Sequence, residues 1–132
     1  AHFAFDFRAG QVVADALAAG DPQMTLCGGL DHNFVIDTGL TAAPKPVARI
    51  EREASGRSLD MLSTEPGLQV YSSTGFDGTL RGKGGQPYRK GEGLALEPQK
   101  FPDTPNQPAF GSTRLDPDQI YRHRIVLIPS TF

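Results

Sequence analysis

The chain has 132 residues, 13 of them basic and 15 acidic, for a net charge of −2. That length suits one domain, able to bury about two-thirds of its unfolded surface. The mixed charges leave no basic stripe for nucleic acid, and the longest apolar run, VVADALAA at 12–19, is broken by Asp15 and too short to span a bilayer.

Fifteen glycines and eleven prolines predict many turns between short strands. In chain order, HFAFDF (2–7) alternates as a strand, with Phe3, Phe5 and Phe7 on one side. QVVADALAAGD (11–21) is the only helical candidate, with Val12, Val13, Ala16 and Leu17 at helical spacing and Gly20 as a stop. No basic start precedes it, so a retained signal peptide is not expected. NFVID (33–37) is a compact β-rich run. VARIERE (47–53) and SLDMLST (58–64) read as a hairpin joined through Ser55 and Gly56, and Ser55 as a turn residue. Strands follow in GLQVYSS (67–73), GLALEPQ (93–99) and IYRHRIVLIP (120–129). In the last, Tyr121, His123, Ile125 and Leu127 share one side. The stretches 73–93 and 101–119 hold most of the glycines and prolines and read as long loops. The class is all-β, with strands of a sandwich type.

Several motifs fail on inspection. In GTLRGKGG, Gly78 lies one residue too close to Gly82 for a phosphate loop, and Gly84 stands where Ser or Thr must follow the lysine. DHNFVID starts like a calcium loop, but Val35 breaks the ligand series. Cys27, the single cysteine, rules out an internal disulfide and leaves the compartment open. With His32 five residues on, it is a weak thiol or metal pair, and it reads better as a small buried apolar residue.

Glu97 sits where the strand-like LALEPQ passes into a proline-punctuated loop, flanked by Ala95 and Leu96. Such neighbours predict partial desolvation, which strengthens a carboxylate as a base.

Read together and in order, GGLDHNFVID (28–37), SGRSLDMLSTEPGLQVY (55–71), DGTLRGKGG (77–85), LALEPQKFPDTPNQPAF (94–110) and LDPDQIYRHRIVLI (115–128) resemble the aldose 1-epimerase (galactose mutarotase) family. The block LEPQKFPDTPNQP is the most specific. The resemblance implies a large antiparallel β-sandwich that interconverts α and β anomers of an aldohexose, such as galactose or glucose, without metal or cofactor. It implies that Glu97 is the general base at the C1 hydroxyl, that Asp31 binds sugar hydroxyls, and that Gln69 lines the same cleft. His32 is expected to be structural.

The resemblance covers most of the chain but only the C-terminal part of a family member. The family's histidine acid and a second, sugar-binding histidine lie upstream of the segment that resembles AFDFR, and His2, His32 and His123 do not stand in the donor motif. Gly91 stands where the family usually has a histidine, and SSTGFDGT replaces TGNFLDGT. Residues 1–132 are therefore expected to form the C-terminal portion of one sandwich, completed by a separate N-terminal polypeptide that brings the missing strands and the acid. Half a sandwich exposes an apolar sheet face and unpaired edges. Two other readings stay open: a non-catalytic sugar-binding or structural β-module, and an epimerase of phosphorylated hexose that uses Arg81, Lys83, Arg89 and Lys90.

Overall fold

A computed structural model describes residues 3–132 of the protein. Two short helices, α1 (Val13–Ala18) and α2 (Pro22–Cys27), precede eight strands. These are β1 (Asp31–Val35), β2 (Lys45–Arg52), β3 (Arg57–Ser63), β4 (Gly67–Tyr71), β5 (Asp77–Arg81), β6 (Pro87–Arg89), β7 (Ala95–Gln99) and β8 (Ile125–Thr131). They form sheets in the orders β1-β4-β7, β2-β3-β8 and β5-β6. The class is all-β with antiparallel pairing, as the strand pattern predicts.

The chain forms two compact units, one comprising residues up to His32 with Val70–Leu96, the other Asn33–Gln69 with Glu97–Phe132. In the first, the expected strand at 2–7 is instead a 3-10 turn, Phe3–Phe5, with His2 outside the described residues. Local turn chemistry wins there: the Asp6 carboxylate accepts from the Arg8 backbone N–H (3.2 Å) and guanidinium (2.6 Å). The predicted helix shortens to α1, which buries Ala16. Helix α2 was not anticipated, although its signals stand in the sequence. Asp21 caps it by accepting from Gln23 N–H (2.8 Å), Pro22 opens it, and left-handed Gly28 ends it. The predicted loop at 73–93 contains the hairpin β5-β6, braced by stacking of Phe76 on Tyr88.

The second unit is organised on β2-β3-β8. A 3-10 turn, Glu53–Ser55, and left-handed Gly56 (φ 59°) join β2 to β3 where the hairpin was expected. Ser55 Oγ donates to the Arg52 carbonyl (3.2 Å), the turn role read from its sequence. In β2 the register slips between Pro46 and Ala48. Beyond that slip Ala48 and Ile50 face Met61 and Leu59, and Leu127 pairs with Met61 on the other side. One face of the sheet is thus apolar. The other carries Arg49, bonded to Asp60 (2.6 Å) and Glu51 (2.6 Å), and Ser58, bonded to Ser130 (2.7 Å). On the apolar face Leu127 remains 55% exposed.

Strand β8 begins five residues later than the pattern at 120–129 predicts and runs on through Pro129 to Thr131. Backbone bonds from Phe132 N–H to Gly56 (3.0 Å) and from Thr64 N–H to Arg124 (3.2 Å) extend its ladder with β3 at both ends. Antiparallel alternation then makes Ile125, Leu127, Pro129 and Thr131 the positions whose backbone points away from β3. Pro129 therefore costs no bond to β3 and removes a donor from the open edge.

Candidate functional site

Asp31, Gln69 and Glu97 each lie on a different strand of the β1-β4-β7 sheet. Asp31 belongs to the first unit, Gln69 and Glu97 to the second.

Asp31 is exposed at the start of β1, which begins two residues before the expected NFVID strand. Its backbone N–H donates to His32 Nδ1 (3.1 Å), the backbone-satisfying role expected of His32. That bond uses the Nδ1 lone pair, so a neutral His32 carries its proton on Nε2. Nε2 lies 4.0 Å from Cys27 Sγ, and the His32 ring meets Phe5 edge-on. Cys27 is exposed, contrary to the buried position expected of it. Helix α2 turns Met24 inward and ends at Gly28, which leaves Cys27 on the last, solvated turn. No group of three His, Cys, Asp or Glu among the described residues can hold a metal, and no described helix is long and apolar enough to cross a membrane.

Gln69 sits half-buried in the middle of β4. Two residues earlier, Gly67 admits a close approach: a Cβ there would meet Asn33 Oδ1 at 2.5 Å and the Gln99 carbonyl at 3.1 Å. Glu97, in the middle of β7, is exposed, while Pro98 beside it is buried. Glu97 thus keeps access to water despite its neighbours Ala95 and Leu96. Strand alternation sends Leu96 and Pro98 to the opposite side of β7, so they do not shield it, and of its apolar neighbours only the small Ala95 shares its side.

The buried acid of the second unit is Glu65, which the sequence pattern does not single out. It is 0% exposed at the end of the Ser63-Thr64-Glu65 segment, all three of which are buried. Tyr121 OH donates to Glu65 Oε1 (2.6 Å), and Lys45 Nζ donates to the Glu65 carbonyl (2.7 Å). Glu65 Oε2 is buried with no hydrogen-bond partner among the described residues. Ser63 Oγ accepts from the Glu65 backbone N–H (3.0 Å) and lies 3.1 Å from His123 Nε2. Desolvation, then the bond to Glu65 and its charge, push the Tyr121 phenol up to about 12. Burial pushes the Lys45 ammonium below its usual range, against the opposing pull of Glu65. These contacts engage Tyr121 and His123 just before β8 begins at Ile125. The only sequence signal for them was the shared side of Tyr121 and His123.

The basic residues at 81–90 are exposed, and two are already engaged. Arg81 donates to the Gly85 carbonyl (2.9 Å), and Arg89 lies 3.8 Å from Glu92.

The chain matches the family model described as Aldose 1-epimerase over residues 2–127. It is 44% identical over 95 residues to the galactose mutarotase of Mus musculus, covering 72% of this chain and 27% of that protein. The galactose mutarotase of Homo sapiens is 42% identical over the same 95-residue length, with the same coverage. The aldose 1-epimerase of Escherichia coli (strain K12) is 34% identical over 106 residues, covering 80% of this chain and 30% of that protein. The chain thus spans less than a third of the length of these relatives. With a family match across nearly all of its own length, the chain belongs to the aldose 1-epimerase family.

Proposed function

We propose that this chain is the C-terminal part of an enzyme that interconverts the α and β anomers of an aldohexose. Glu97 takes the proton from the C1 hydroxyl as the ring opens and returns it on closure. Asp31 and Gln69 hold sugar hydroxyls through their planar acceptors and, for Gln69, donors. A histidine from the N-terminal part of the family fold, outside residues 1–132, delivers the proton to the ring oxygen, and the same part completes the sandwich. The reaction is a proton exchange and needs no cofactor.

Family membership carries this reading. The exposure of Glu97 supports it, because a base must reach a proton on a diffusing sugar. The exposed Leu127 on the apolar face of β2-β3-β8 supports cover by that N-terminal part, since such faces are normally covered.

Polarimetry on fresh α-galactose, with the chain joined to that N-terminal part, tests the proposal. The Glu97→Gln variant is expected to lose kcat by about 10²–10⁴-fold, whereas Asp31→Asn and Gln69→Ala chiefly raise KM. Full activity in Glu97→Gln would sink the assignment of the base. Sugar binding without any acceleration by the joined wild-type protein would favour the binding module.

A further inference from the structure

Lys100, Arg114 and Arg122 line one open cleft of about 840 Å³ in the second unit, together with Gln99, Tyr121 and His123. No described Asp or Glu lines it, so three fixed positive charges share its walls without a negative one. Glu97 is not among the lining residues, although Gln99, on the same side of β7, is.

The cations keep donors to spare. Lys100 Nζ gives one hydrogen bond to the Ser112 carbonyl (2.6 Å). Arg114 uses Nε on Asp116 (2.5 Å), which leaves its two terminal amino groups. Arg122 makes no hydrogen bond or ion pair with the described residues. His123 is tied through Nε2 to Ser63, leaving Nδ1.

Tyr121 adds a flat wall. Its hydroxyl is anchored on buried Glu65 (2.6 Å), while the residue as a whole is 53% exposed and Lys100 Nζ stands 5.9 Å from the ring centroid. Like charges held together gain most from a dianion, and a guanidinium grips phosphate oxygens in pairs. An anchored ring beside them suits a flat organic group.

We propose that this cleft binds a phosphate monoester, with Arg114 and Arg122 on the phosphate oxygens and the organic group against Tyr121. Calorimetric titration of the full chain with phenyl phosphate and with inorganic phosphate tests it. Phenyl phosphate is expected to bind roughly fivefold more tightly than inorganic phosphate, and both to weaken as salt rises. The double variant Arg114→Gln/Arg122→Gln changes only exposed side chains and is expected to weaken both probes at least about tenfold. Tyr121→Phe keeps the ring and the fivefold preference, whereas Tyr121→Ala loses the preference. No binding of phenyl phosphate at low salt, or binding unchanged in the double variant, overturns the proposal. Equal affinity for the two probes overturns the role of Tyr121. The double variant is expected to retain any mutarotase activity, so this binding assay and the polarimetric assay fail independently.

Discussion

Glu65 and Glu97 are two carboxylates of one unit with opposite surroundings. Glu65 is wholly buried, receives the Tyr121 hydroxyl, and has its backbone tied to Ser63 and Lys45. Glu97 stands exposed on β7. A buried carboxylate is tolerable only when hydrogen bonds replace its water, and Glu65 obtains one such bond at Oε1. The difference separates an acid that holds the fold from an acid free to meet a ligand. Each substitution should therefore move one property and spare the other.

The largest expected effect is on catalysis. In the joined enzyme, Glu97→Gln should lower kcat by about 10²–10⁴-fold while shifting stability by no more than about 0.5 kcal/mol. A large loss of stability in this variant would erase the contrast. Urea unfolding should show the converse for Glu65→Ala, a loss of about 1.5–3 kcal/mol as the Tyr121 hydroxyl loses its charged partner. Glu65→Gln sharpens the point, because an amide oxygen can still accept from Tyr121 without burying a charge. Its midpoint should match or exceed that of the wild type. A fall as large as that of the alanine variant would mean that the charge itself is required.

Gly67→Ala probes the ground between the two acids, on β4. Its Cβ would press on Asn33 Oδ1 and the Gln99 carbonyl, and the expected cost is about 1–3 kcal/mol. Near-wild-type unfolding would show that β4 and β7 yield there.

The smallest signal is in alkali. The Tyr121 phenol, raised from 10.0 to about 12, keeps its proton more tightly in the folded state than in the unfolded chain. Its contribution to stability is complete below about pH 10 and is lost as pH rises through about 12. Absorbance titration of the tyrosines should show one phenol ionising near pH 12. That ionisation should move down in Glu65→Gln, where the neighbouring charge is gone.

Much of the fold was legible. The hairpin of β2 and β3 followed from alternation around Ser55-Gly56, and the strands at β4 and β7 followed from their apolar runs. The missed pieces have local causes. Asp6 bends back to Arg8 and ends the phenylalanine alternation in a turn. The capping triplet of Asp21, Pro22 and Gly28 was readable but brackets a helix of only six residues. In the hairpin β5-β6, glycines conceal strand character between Asp77 and Arg89.

The candidate site divides in the same way. The sequence by itself determined the all-β class, the strands that carry Gln69 and Glu97, and the family, because strand periodicity and motif order are properties of the chain alone. Only the tertiary structure decided which side chains lose their water. Glu97 has apolar neighbours but stays exposed, because adjacent residues of a strand face opposite sides. Glu65, in a polar stretch, is buried, and a tyrosine 56 residues away reaches it. Burial is set by what packs against a residue across the fold, and neighbours along the chain do not report it.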